Sequence, residues 1–171
     1  MRLRATERMG LALAAVAAVT WSCGGGSSDP ASSDDEAPAW TIGMLAPMTG
    51  ALAQVGPSWR ASAQMAVDEI NASGGLLGRD VELRLGDTAT NPDVAVQAAR
   101  ALVDQGVDVI VGPDISSAAI RIANEVTVLA GALIISPSAT SAEITGLDDN
   151  GLVWRTSASD DIKGVIAARY F

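Results

Sequence analysis

Histidine is missing from all 171 residues of this chain. The Ser-His-Asp and Cys-His catalytic arrangements go with it, as do His-ligated metal sites. Cysteine occurs once, at Cys23, so the chain carries a single unpaired thiol. Aromatic residues make up only 4% of the chain, which leaves a core to be built from Ala, Val, Leu and Ile. Past the first residues no basic stretch occurs, and the formal net charge is -9, a balance that excludes a phosphate-binding nucleic-acid surface. No GxSxG elbow, Walker A loop or CxxC pair is found. These absences argue against an enzyme and against any metal or organic cofactor. What is present is 49% hydrophobic, enough for a genuine core and suited to a layered α/β domain.

The N-terminus reads as an export signal over residues 1–22. Arg2, Arg4 and Arg8 precede an apolar run of eleven residues from Met9 to Val19, too short to span a bilayer and long enough for a signal-peptide core. Thr20-Trp21-Ser22-Cys23 follows and resembles the bacterial lipobox, with a small residue before a lone cysteine, although Thr20 and Trp21 depart from the usual aliphatic and small residues. Lipidation at Cys23 is expected, with the protein exported to the periplasm or cell surface and anchored to the membrane. Residues 23–39 are rich in Gly, Ser, Pro and acids without periodicity and read as a flexible tether.

From Thr41 onward strands and helices alternate. TIGMLA is a short apolar strand. A helix over Pro57 to Ala72, with Ala61, Met65 and Ile70 roughly on one face, stops at Ser73-Gly74-Gly75. VELRLGD alternates strictly, which marks an edge strand with one wet face. NPDVAVQAARALVDQG is an amphipathic helix with Asn91 as N-cap, Pro92 in the first turn and Gly106 as the stop. VDVIVG and ALIIS are nearly continuous aliphatic runs and belong at the centre of a parallel sheet, with a crossover helix over Ser117 to Leu129; LVWRT supplies a fifth strand. The pattern predicts a doubly wound parallel sheet of order 2-1-3-4-5, which binds ligands beyond the carboxyl ends of its strands.

SGGLLGRD follows a helix and precedes a strand, the reverse of a phosphate loop, and reads as a turn. Asp160 and Asp161 stand at a helix start and read as capping residues rather than a metal site. More informative is ISPSAT, where a buried strand gives way at once to small and hydroxyl residues, and GPDISS, where one serine could cap the next helix while neighbouring N–H groups meet a carboxylate. From pattern alone these two loops stand evenly between turn chemistry and ligand contact.

IGMLAPMTGALAQVG, AVDEINASGGLLGR, DTATNPDVAVQAARALVDQGVDVIVGP, ISPSATSAEITGL and VWRTSASD together resemble the leucine/isoleucine/valine-type periplasmic binding proteins, in order from Ile42 to Asp161. The resemblance implies the periplasmic-binding-protein type I fold, two lobes joined by a hinge and closing on a small amino acid or amide, and a membrane permease of an ABC importer as partner. It makes residues 40–156 the first lobe, and residues 157–171 the hinge and a truncated start of the second. It also implies that Ser116 and Thr140 hold a ligand carboxylate and that a backbone carbonyl at Ser138 accepts from the ammonium, with Ser117 and Ala139 beside them. Val55 stands where amino-acid receptors often carry an aromatic. A ligand-sensing receptor module of the same fold is the alternative expectation.

Overall fold

A computed structural model describes residues 38–170. The signal, the lipidation at Cys23 and nearly all of the tether therefore lie outside the described residues. Five parallel strands form one sheet: β1 (Trp40–Ala46), β2 (Val81–Asp87), β3 (Val109–Val111), β4 (Leu133–Ser136) and β5 (Val153–Arg155), in the order β2-β1-β3-β4-β5. The predicted order holds, with the alternating strand at one edge and the two aliphatic runs central. The helices are α1 (Gly56–Ala72), α2 (Pro92–Asp104), α3 (Ser116–Ile122), α4 (Val128–Ala130) and α5 (Asp160–Tyr170). A π turn over Ala123–Thr127 joins α3 to α4, so the predicted crossover helix runs on as one helical stretch and stops at Gly131, in the left-handed conformation at φ 73°.

Side-chain alternation along the strands divides the sheet into two unlike faces. Leu45, Ile110 and Ile134 point to one face and pack with Val96, Leu102, Ile122 and Val126 from α2 and the crossover stretch, forming the main core. Gly43 belongs to this face because a Cβ there would come within 2.9 Å of Val107 Cγ1. Asn91 caps α2, accepting from Asp93 N at 2.8 Å and Val94 N at 3.3 Å. Arg121 bonds Asp93 and Glu125, fastening α2 to the crossover stretch from outside.

Among the described residues the opposite face is covered by α1, beside β1 and β2. The expected apolar side of α1 is not the packed one: Ala61, Met65 and Ile70 are exposed, and the side turned inward is Trp59, Ala63, Val67 and Asn71. Asn71 explains the rotation, since its amide brackets Val81, accepting from the N–H at 2.8 Å and donating to the carbonyl at 2.9 Å. α1 thus leans on the sheet edge and leaves an open groove of about 330 Å³ lined by Met44, Trp59, Ser62, Ala63, Val111 and Pro137. α5 buries no residue, and Ile162, Val165 and Ile166 are all more than half exposed. A chain with this much open apolar surface is expected to bind an environment-sensitive dye strongly under native conditions. A sharp two-state melt with no dye fluorescence would refute that expectation.

Candidate functional site

Because the sheet is parallel, the loops that follow β1, β3, β4 and β5 gather at one edge. Asp87, the last residue of β2, holds the first of them. Its Oδ1 accepts from Met48 N (2.9 Å), Thr49 N (3.1 Å) and Ala89 N (2.8 Å), and its Oδ2 accepts from Thr49 Oγ1 at 2.6 Å. Thr90 Oγ1 takes Leu52 N at 3.0 Å. Val55 follows as the residue before α1, half-buried, its carbonyl accepting from Trp59 N. It stands at the same sheet edge as the serine-rich loops, with no hydrogen bond to them among the described residues.

Burial pushes the Asp87 carboxyl up, but the Thr49 hydroxyl and the N–H groups of Ala89, Thr49 and Met48 outweigh it and hold the group below the usual carboxylate range. A depressed folded value means stability that is full above the unfolded value of about 3.9 and lost as pH falls through the lower folded value. Lowering the pH from about 5 to about 3 should therefore release the loop at 48–55, seen as faster amide exchange at Met48 and Thr49. Asp87→Asn should abolish that pH dependence; equal acid sensitivity in the mutant would rule the carboxylate out.

The second and third loops are laced together by hydroxyl groups. Ser136, 2% exposed, donates from Oγ to Pro113 O at 2.8 Å and accepts from Ala139 N at 3.0 Å. Ser138 Oγ donates to Asp114 O at 2.7 Å. Ser116 Oγ accepts from Thr140 N at 3.0 Å and Ser141 N at 3.2 Å. The reading of a helix-capping serine is corrected here: α3 has Ile115 at its N-cap with no side-chain cap bond, and the Ser116 hydroxyl reaches across to the neighbouring strand's loop instead. Two backbone N–H groups there need an acceptor, and Ser116 is the one that meets them.

Thr140 joins the third loop to the fourth. Its Oγ1 bonds Asp160 Oδ2 at 3.0 Å, and Asp160 N donates back to Thr140 O at 2.9 Å. Arg155 donates to Ser141 O and to Thr145 Oγ1, both at 2.6 Å. Ser159 takes over the start of α5, its carbonyl accepting from Lys163 N at 3.1 Å and its hydroxyl bonding Asp161, whose carboxyl is held low chiefly by that hydroxyl. Asp160, read from sequence as a cap, therefore spans two loops.

The structure brings Ser116, Ser138 and Thr140 into one network and sets two expected residues apart. Ala139 is fully buried with Ala119 and Ile144, and its N–H and carbonyl are both taken, by Ser136 and Ser157. Ser117 is exposed, with no side-chain hydrogen bond among the described residues. Sequence reasoning missed Ser136 and Arg155. A hydroxyl residue closing an aliphatic strand was the available signal for the first; nothing local marks the second. Below the network, Thr88 Oγ1 bonds Asp114 Oδ1 at 2.6 Å in the interior, and Asp114 Oδ2 is buried without a partner. Among the described residues no group of His, Cys, Asp and Glu could hold a metal, and no helix is long and apolar enough to cross a membrane.

The sequence profile described as periplasmic binding protein matches residues 39–171. The Leu/Ile/Val-binding protein BraC3 of Rhizobium johnstonii is 42% identical over 132 residues, which is 76% of this chain and 35% of that relative. Among solved structures, the branched-chain amino acid transporter substrate binding protein LivJ from Streptococcus pneumoniae, in complex with isoleucine, superposes with TM-score 0.64 at 34% identity, covering 71% of this chain and 34% of that one. An ABC transporter substrate-binding protein from Desulfitobacterium hafniense, in complex with Leu, does so with TM-score 0.68 at 27% identity, covering 77% and 38%. The chain spans about a third of the length of the curated relatives it matches.

Proposed function

Since the chain belongs to the periplasmic binding protein family, we propose that it forms the first lobe of an exported solute-binding protein serving an ABC importer, and that it contributes half of a site for a branched-chain amino acid or a related small amino acid or amide. The observation that carries this reading is the Ser116 hydroxyl, which ties together loops from two adjacent central strands at the sheet edge where such folds bind ligands. A loop that needed only turn chemistry would close on itself, as Ser141 does with Glu143 N at 3.3 Å. Ser116, Ser138 and Thr140 are the proposed contacts, with Ser117 and Val55 at the margin and Ala139 as packing beneath. The role is binding rather than catalysis, and the partners are the ligand and a membrane permease.

The test is a ¹⁵N amide-shift titration of the chain with L-leucine, L-isoleucine, L-valine and their amides. Shifts confined to residues 113–117 and 136–141 support the proposal. A panel in which no member moves those amides would sink it. The proposed lipid anchor has its own test: Cys23→Ala should release the exported protein from membranes, because the diacylglyceryl and amide-linked chains together supply the anchoring that one chain cannot.

A further inference from the structure

We infer that the turn entering β5 is a site of spontaneous chemical modification held in check by Asp149: Asn150 deamidates through attack by Gly151 N once the Asp149 carboxylate releases that nitrogen, and the isoaspartate formed loosens β5.

Of the asparagines in the chain, Asn150 alone is followed by glycine. Asn71 precedes Ala72, Asn91 precedes Pro92, which has no N–H, and Asn124 precedes Glu125. The next residue matters because it supplies the attacking atom. Gly151 N loses its proton and bonds to Asn150 Cγ, ammonia leaves from that carbon carrying a proton away, and a cyclic imide remains. Water then opens the imide at either carbonyl, giving aspartate or, where the chain continues through the side-chain carbon, isoaspartate. Nothing but water is consumed. Glycine puts no side chain in the path of the approach, and Asn150 is exposed.

In the folded chain the turn opposes this reaction. Asn150 and Gly151 are its central residues, at φ 52° and 75°, and Leu152 N donates across it to Asp149 O at 2.9 Å, as in a type I′ turn. Asp149 also grips the nucleophile itself. Its Oδ1 accepts from Gly151 N at 2.9 Å and its Oδ2 from Val153 N at 3.1 Å, so closing the imide ring breaks the first of these bonds. A carboxylate is far too weak a base to take an amide proton, and its negative charge opposes the amide anion that attacks. Asp149 therefore protects Asn150 rather than activating it. Trp154 adds to the restraint, donating from Nε1 to Gly151 O at 2.7 Å.

The modification acts on β5, which pairs with β4 through Val153, Trp154 and Arg155 at the edge of the sheet. An isoaspartate adds one backbone carbon inside the tight turn that sets this register. Arg155 carries the disturbance onward, because it holds Ser141 O and Thr145 Oγ1.

The experiment incubates the 171-residue chain at neutral pH, folded and in urea, and follows conversion at Asn150 by peptide mapping with isoaspartate-specific methylation. The folded chain should convert more slowly than the unfolded one by about tenfold or more. Asp149→Ala should raise the folded rate by about tenfold and leave the rate in urea unchanged. Asp149→Asn keeps an acceptor in the same place without the charge and should also convert faster than wild type, which keeps the test decisive where alanine unfolds the turn. Equal rates for folded and unfolded wild type, or a folded variant that converts no faster than wild type, would overturn the inference. The isoaspartate form, separated from the rest, should show faster amide exchange at Val153 and Thr156, whose N–H groups bond Asp149 Oδ2 and Ser136 O. Unchanged exchange there would break the link to β5.

Discussion

Replacing Gly112 with alanine is expected to lower stability by about 3 to 5 kcal/mol, a large part of what a domain this size has. Gly112 adopts φ +117°, a region that residues with a side chain rarely enter. A Cβ there would lie 2.2 Å from the carbonyl oxygen of Leu45 on β1, and 3.0 Å from its carbonyl carbon. Both are backbone atoms of a central strand, so no rotamer change relieves the clash. Gly112 N also donates to Ile135 O at 2.9 Å, holding the residue between β1 and β4. Gly131→Ala is the matched control, with positive φ but nothing within 4 Å of its Cβ, and should cost only about 1 kcal/mol. Urea unfolding of the two variants measures the difference; equal midpoints would show that the close approach to β1 does not matter.

Ser116→Ala should weaken L-leucine by about one to two orders of magnitude, the value of one charge-assisted hydrogen bond. The same change strips the acceptor from Thr140 N and Ser141 N, so stability should fall by about 1 to 2 kcal/mol as well. Ser117→Ala, one residue along and with no side-chain hydrogen bond among the described residues, should alter neither quantity appreciably. Amide-shift titration of both variants, alongside thermal melts, separates the two effects. A Ser116→Ala protein that loses stability but keeps its affinity would leave the hydroxyl as a structural strut alone.

The sheet order was legible in the strand sequences: alternating VELRLGD lies at the edge and the aliphatic runs VDVIVG and ALIIS lie between neighbours, although the second face of β3 and β4 is only half-buried. The Asn91 cap was legible because its partners are Asp93 and Val94, close in sequence. What escaped the sequence depended on partners far away along the chain. Ser116 meets residues 24 and 25 positions later, and Thr140 meets one 20 positions later, so a local reading left Ser116 between a helix cap and ligand contact and gave Asp160 a cap alone. The orientation of α1 escaped for a related reason. Its inward side is set by Asn71 gripping Val81, a polar contact that hydrophobic periodicity does not register.

The two-faced sheet has a consequence for how this chain acquires its structure during synthesis. The main buried cluster runs from Leu45 to Ile134, with Val153 packed at its margin, so it can consolidate as soon as β4 has emerged. The bonds that lace the loops after β3, β4 and β5 come from residues made later: Thr140 and Ser141 for Ser116, and Asp160 for Thr140. In a chain made from its N-terminus the side carrying that cluster can therefore pack before the loops after β3 and β4 are tied, and the face bearing Met44 and Val111 is open to any apolar chain it meets from then on.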